Sequence, residues 1–404
     1  MTQEVRSAVD ADRAARYVAE LAVPRLSGTD MEHKTASHIE QHFRSLGLAV
    51  TREPFEFGTM GLLTAKLFVA LFPAFLFGCL FLLDSLPLLS LSLSVGVLLL
   101  FSYVTRNSSK MAWVGHAWNN RLKSHNIIAI KEPKLEEKLH LIVGAHYDSV
   151  SLSRNIFRNH YRMVLVLMPV FYITVAFLAV IGLIGLISSM SGFVLPSTVS
   201  KIFLGLSGVL TLFFLTFLVT GHGNSSAGAA DNASGVAALM EMANAMKDHP
   251  LEYLRISFVA FGAEEFGLLG SNNYFFAHRN ALRANGTHMI SVDMPGGKGK
   301  LGYVEKYGMP PRKTDPYLNE MLMEAAKQVG VKCEKIELPP FHGSDHEPFD
   351  QRGVPATFLG AVSKESMKTF HTSNDDLDAI DHDNLSAACR LLCRLVLNMD
   401  ESLQ

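Results

Sequence analysis

Cysteine is scarce: Cys79, Cys333, Cys389 and Cys393 are the only four in 404 residues. Their spacing builds no disulfide framework, and Cys389 with Cys393 fits one face of a helix better than a zinc site. Neither sign of charge is in excess. The 36 Lys and Arg against 38 Asp and Glu leave a formal net charge of −2, which offers nothing to a nucleic-acid partner. The first 21 residues are charged and amphipathic with no apolar central run, so no signal peptide is expected there. Internal repeats and low-complexity linkers are also missing. What is left is a chain long enough for two domains or one large one.

Apolar residues, in contrast, are abundant. They make up 49% of the chain, and the excess is concentrated in four runs. Leu62–Leu83 has only Lys66 near one end, and Leu86–Val104, Met163–Ile187 and Ile202–Thr220 are uncharged. About 20 apolar residues cross a bilayer core. The expectation is therefore two transmembrane hairpins, residues 62–104 and 163–220, in an integral multi-pass protein with the lipid bilayer as a partner. An even number of crossings in each keeps residues 1–61, 105–162 and 221–404 on one side as one discontinuous domain. Arg52, Arg106, Lys110, Arg154, Arg158 and Arg162 flank the runs on that side, against Lys201 alone on the other. Positive charge marks the cytoplasmic face, so the domain is expected to face the cytoplasm, with a lumenal enzyme as the alternative in a eukaryote.

Outside these runs the pattern is α/β. Helices are expected over Val9–Leu21, Met31–Leu46, Ala233–Met246, Asp315–Val329 and Asn384–Met399. Strands are expected over Ala49–Phe57, Asn126–Lys131, His140–Ala145, Leu254–Phe261, His288–Asp293, Lys332–Leu338 and Ala356–Leu359.

The chain is organised around Ile256–Gly270, an apolar strand, a glycine turn and two adjacent carboxylates, Glu264 and Glu265. Open α/β sheets place their chemistry at the C-terminal ends of strands. Neighbouring side chains there point apart, so one glutamate can hold a metal while the other moves a proton; a solvated acidic turn is the alternative. Four further stretches carry candidates. GAHYDSV offers His146, with Asp148 two residues on to accept the other ring N–H. GAADNASG offers Asp231 in a small-residue turn, ISVDMPGG offers Asp293 at a strand end, and FHTSNDD offers His371 in a polar loop. Each alone reads equally as a cap, a turn or a loop residue. Together they supply imidazole and carboxylate without thiolate, the donor set of a paired zinc site.

GAHYDS, AADNASG, FGAEEFGLLGS, SVDMPG, SDHEPFDQRGVPA and FHTSNDD, with PRLSGT and REPFEF nearer the start, resemble metallopeptidase family 28, the co-catalytic di-zinc aminopeptidases. The resemblance covers nearly all of the chain outside the apolar runs. It implies an α/β/α sandwich on a mixed sheet and two zinc ions per chain. Asp231 would bridge them, His146 and Asp293 would complete one site, and Glu265 and His371 the other. Glu264 would be the general base and Asp148 would orient His146. Two departures stand out. Between His146 and Asp231 the soluble relatives have a short connection, which is expected here to hold the second membrane hairpin. Some relatives also carry a Tyr before the last His, able to donate to the oxyanion, where this chain has Phe370; His346 is a replacement donor or a structural residue.

The implied activity is that of a zinc exopeptidase acting on peptides, foremost an aminopeptidase. The same fold also serves carboxypeptidases, dipeptidases and glutaminyl cyclases, and a catalytically inactive scaffold is a third alternative. Glu264 argues against a scaffold, because a dead site has no need of a base.

Overall fold

The computed structural model describes residues 8–82, 86–107, 109–110, 121–153, 197–215, 221–284, 286–308, 311–338 and 342–404, with isolated positions between 176 and 187. The chain divides into two units. One comprises residues 1–61, 112–152 and 222–404, and the other residues 62–111 and 153–221.

The first unit is built on a mixed sheet. Its strands are β1 (Ala49–Phe57), β2 (Leu122–Lys131), β3 (Leu139–His146), β6 (Leu254–Phe261), β7 (Thr287–Val292), β8 (Gly302–Tyr307), β9 (Arg312–Lys313), β10 (Glu334–Glu337) and β11 (Ala356–Gly360); the short β4 (Ser151–Ser153) and β5 (Gly221–Gly223) form a separate ribbon. The order across the sheet is β1-β2-β6-β3-β7-β11-β8-β10, with β9 on β8. The middle strands β6, β3, β7 and β11 run parallel, whereas β1, β2 and β8 pair antiparallel to their neighbours towards the middle. Register places His146 opposite Phe261, so the last residues of β3 and β6 lie side by side.

Alternation along the strands divides the core into two layers. Leu141, Val143, Ile256 and Phe258 face one layer with Val18, Leu239 and Leu392 from helices Ala11–Leu21, Ser234–Met246 and His382–Glu401. Ile142, Val259 and Phe261 face the other with Tyr274 and Phe275 of helix Leu269–Ala284 and with Phe349. These side chains are almost wholly excluded from water, and each contributes about 1.5–3 kcal/mol by burial. Helix starts are set locally. Asp10, Asp315 and Asp381 accept from the N–H three residues on, and Pro316 adds a preset first turn. The strand β8 was not expected. GYVEKY mixes apolar and charged residues, and β8 gains its place from β10 and β11 rather than from its own pattern.

In the second unit the described elements are helical: Met60–Leu82, which starts in the first unit, Pro87–Arg106 and Ser197–Leu215. Several large side chains on them, among them Phe81, Leu99 and Leu212, are exposed. Among the described residues no helix is long and apolar enough to cross a membrane. This overturns the expectation of a multi-pass integral membrane protein with four transmembrane helices. The case for the lipid bilayer as partner and for a cytoplasm-facing domain loses its basis with it. Absence of charge alone does not make a span, which asks for a helix apolar along its whole length. Lys66 lies within the first of these helices, Ser90, Ser92 and Ser94 within the second, and Lys201, Ser207 and Thr211 within the third. The run Met163–Ile187 falls largely outside the described residues, as do residues 216–220.

Candidate metal centre

Three adjacent parallel strands deliver the site. His146 is the last residue of β3, Asp293 follows β7, and Glu264 and Glu265 follow β6. The turn after β6 begins at Gly262, where a Cβ would run into Ser124 Oγ and stand 2.7 Å from the His125 carbonyl. Ala263 then takes a left-handed φ of 54°, which turns the chain out of the strand line. The N–H groups of Glu264 and Glu265 donate to the two oxygens of Asp148 at 3.1 and 3.2 Å. Asp148 also accepts from Ser27 Oγ at 2.6 Å, and its Oδ1 lies 3.4 Å from His146 Nδ1. This carboxylate therefore ties the β3 end to the β6 turn.

Asp231 lies in a tight turn, Ala229–Ala233, ahead of helix Ser234–Met246, and the Asp231–Asn232 peptide is cis. Gly228 before it has a φ of 58°, and a Cβ there would stand 2.5 Å from both the Asp231 carbonyl and Ser149. The two oxygens of Asp231 serve different histidines. Oδ1 is 3.2 Å from His146 Nε2 and Oδ2 is 3.3 Å from His371 Nε2. His146 Nε2 is also 3.6 Å from Asp293 Oδ1 and 3.9 Å from Glu264 Oε2. His371 Nε2 is 3.0 Å from Glu265 Oε2. All seven residues identified from the sequence thus converge. Two of the resulting clusters, His146–Asp231–Asp293 and Asp231–Glu265–His371, share Asp231; a third is His146–Glu264–Glu265.

The donor set fits zinc. Ligands at about 2.0–2.1 Å from a tetrahedral zinc ion stand roughly 3.4 Å from one another, and the pairs above fall around that value. Glu265 Oε1 and Asp293 Oδ1 are buried without a hydrogen-bond partner, a costly arrangement unless a cation answers them. Without one, protons balance the charge. Burial opposes charge on His371, but the Glu265 and Asp231 carboxylates hold it up to about 10. His146 is likewise raised well above its ordinary value by Glu264, Asp148, Asp231 and Asp293, against its burial. Burial would raise Asp231, yet the two histidines keep it well below the usual carboxylate range. Burial, then the neighbouring carboxylates Glu265, Asp345 and Asp293, push Glu264 far up. Burial lifts Glu265 to about 7.

Several residues that matter were given no role from the sequence. Arg25 of PRLSGT is fully buried. Its guanidinium donates to the carbonyls of Tyr147 at 2.5 Å, Val23 at 3.0 Å, Gly228 at 2.8 Å, and also Ala227. It joins the loop after His146 to the loop before Asp231. Asp375 accepts from the N–H groups of Ala230 at 2.7 Å and Asp231 at 3.1 Å. Asn232 accepts from Gly235 N at 2.9 Å and Met294 N at 3.1 Å and donates to the Val292 carbonyl at 2.9 Å, linking the Asp231 turn to the Asp293 strand end. Ser344 donates to Asp293 Oδ2 at 2.8 Å. All four lie inside stretches the sequence singled out, but only Asn232 sits beside a candidate ligand; the other three had no signal beyond their stretch. His346, read as a replacement donor or a structural residue, is buried edge-on against Tyr307 and Phe358, with ring centroids 4.6 and 6.0 Å away. Burial pulls its pKa down to about 3. Phe370 stacks on His371 with centroids 3.6 Å apart, so it packs against the ligand rather than donating to the site.

Comparison with known proteins agrees with this geometry. Residues 215–396 match the model for Peptidase family M28. The chain is similar to aminopeptidase YwaD of Bacillus subtilis, 32% identical over 184 residues, which is 44% of this chain and 40% of that protein. The chain spans about two fifths of the length of the curated relatives it matches. Among solved structures it shares the fold of an aminopeptidase from Aneurinibacillus sp. strain AM-1, with a TM-score of 0.58 at 17% identity, covering 98% of this chain and 96% of that one. It shares the fold of a Bacteroides thetaiotaomicron glutaminyl cyclase as well, with a TM-score of 0.57 at 18% identity, covering 96% and 98%. The sequence matches liken residues 215–396 to metallopeptidases of the M28 type, and the solved structures share the fold.

Proposed function

We propose that the protein is a zinc-dependent exopeptidase, foremost an aminopeptidase that removes N-terminal residues from peptides. The observation that carries this is Asp231, whose two oxygens face one histidine each, 3.2 and 3.3 Å away. That is the disposition of a bridging carboxylate between two cations, which repel each other and need an anion between them. His146 and Asp293 would hold one zinc, and Glu265 and His371 the other. When bound, the pair supplies Lewis acidity, lowering the pKa of water and polarising the scissile carbonyl. Glu264 Oε2 reaches to within 3.9 Å of His146 Nε2, at the edge of the ligand set. From there it takes the proton of the attacking water and returns it to the leaving amine. Asp148 keeps His146 in the tautomer whose Nε2 lone pair faces the centre.

The test is zinc content together with a panel of peptides. Purified protein should hold two zinc ions per chain and cleave peptides with a free N-terminus, but not their N-acylated counterparts. Cleavage of the acylated peptides from the C-terminus would point to a carboxypeptidase. A single zinc with release of cyclised N-terminal glutamine would point to a glutaminyl cyclase, a reading that the shared fold keeps open and the full set of five ligands disfavours. No metal and no turnover would leave the scaffold reading.

A further inference from the structure

The first unit loses the chain after Leu152 and regains it at His222. Around these two points lies the ribbon of β4 and β5. Its first-unit residues are bonded to the backbone of two candidate ligands. The N–H of Leu152 donates to the His371 carbonyl at 3.1 Å. Nε2 of His222 lies 3.0 Å from the Glu265 carbonyl; a carbonyl only accepts, so Nε2 carries the proton. The His222 ring lies over Phe266, centroids 4.9 Å apart and planes 31° from parallel, which fixes its direction. Ser151 Oγ accepts from the N–H of Ser225 at 2.9 Å, and the Ser225 hydroxyl is also 2.9 Å away. Asn224 Oδ1 accepts from Leu26 N at 3.0 Å.

Glu265 and His371 need such support. Both lie at left-handed backbone: Ala263 precedes the glutamates at φ 54°, and His371 itself sits at φ 56°. Of the other three, His146 and Asp293 are held by the sheet, although Met294 after Asp293 also has a left-handed φ of 53°. Tyr147, next to His146, donates its N–H to the Phe261 carbonyl at 2.9 Å, and Asp293 N donates to Leu359 at 3.0 Å.

We propose that His222 is a positioning residue for the Glu265–His371 half of the metal centre, acting through the ribbon from which residues 153–221 depart. The proposal rests on the metal-centre reading above. It predicts that the two halves respond unequally to a change at position 222.

The experiment is calorimetric titration of the metal-free full chain with zinc. A parallel cobalt titration follows the visible bands of each site, and thermal unfolding of the metal-free proteins serves as a control. H222A should leave one tight site and weaken the other by about 10–100-fold, the usual cost of losing a group that orients a ligand. H222Q, whose amide nitrogen can take the place of Nε2, should restore the second site to within a few-fold of wild type. If H222A does not fold, H222N, whose amide is too short to reach, stands in for it under the same criteria. Two outcomes overturn the inference alone: a wild type with two zinc ions and a variant with an unchanged isotherm, or equal loss at both sites without rescue by glutamine. A wild type that takes up no metal overturns the metal-centre reading and this inference with it.

Discussion

His146 and Asp293 stand at the ends of adjacent strands in the middle of the sheet, whereas Glu265 and His371 stand on a turn and a loop. The His146 side chain is 1% exposed and that of His371 is 20%. The two pairs offer the same chemistry, one imidazole and one carboxylate each. They differ in what holds them. Strand ends inherit their geometry from the ladder, so their placement is as robust as the core beneath them. Loop ligands take theirs from specific hydrogen bonds, Glu265 from Asp148 and His222, His371 from Leu152. Identical donor types can thus have very different tolerance to change nearby.

The sharpest way to break this comparison is to remove the residue common to both halves. Asp231→Asn should weaken zinc binding at both sites by more than the roughly 10–100-fold that loss of an outer partner costs. His146→Ala or His371→Ala should weaken mainly one. Zinc titration separates the cases, and loss at a single site from Asp231→Asn would refute the bridging role.

Glu264 belongs by backbone to the loop half and by side chain to His146. Glu264→Gln should keep both zinc ions and lower turnover about a hundredfold or more, because an amide cannot accept the proton. Near-wild-type hydrolysis with zinc retained would remove Glu264 from the role of base.

Asn232 connects the bridge to the strand half only. Asn232→Ala leaves the Val292 carbonyl and the Gly235 and Met294 N–H groups without their partner. It should cost about 3 kcal/mol of stability and disturb the Asp293 site more than the His371 site. Chemical denaturation and zinc titration read the two effects, and equal weakening of both sites would count against the assignment of Asn232 to one half.

The smallest effect concerns the support behind the strand half. Glu32 is buried and accepts from Ser124 Oγ at 2.5 Å and Tyr147 Oη at 2.6 Å. Burial pushes its pKa up to about 7. The folded state therefore keeps a proton that the unfolded chain has lost between about pH 4.5 and 7. Stability from this group is present at low pH and falls as pH rises through that window. Glu32→Gln keeps the acceptor and removes the titration. Relative to wild type it should gain on the order of 2 kcal/mol between pH 4 and pH 8. Denaturation midpoints of the metal-free proteins across that range check it, and parallel curves would exclude the buried charge.

Local pattern made much of this legible. The strands Ala49–Phe57 and Leu254–Phe261 form over the residues expected, because alternation and β-branched content are properties of the strands themselves. The candidate ligands were legible only as a set: each imidazole or carboxylate beside a strand end or small-residue turn reads alone as a cap, turn or loop residue, and it is their combination that suggests a metal. The uncharged runs misled for the opposite reason. Absence of charge is written in the sequence, but a span asks for sustained apolarity over its whole length, and among the described residues no helix has it.

By itself, then, the sequence determined the candidate donors: two histidines, two aspartates and two glutamates placed mostly at the ends of strands in an α/β scaffold, with Asp148 two residues from His146. Only the tertiary structure decided which of those groups pair, that Asp231 turns one oxygen to each histidine, and that Arg25, Asn232 and His222 hold the loops. The partners of Arg25 and His222 are backbone carbonyls, which every residue possesses and no residue type signals. Arg25 and Gly228 are 203 positions apart, and His222 and Glu265 are 43 apart. Such contacts exist only once the sheet has assembled and brought distant loops to the C-terminal ends of its central strands.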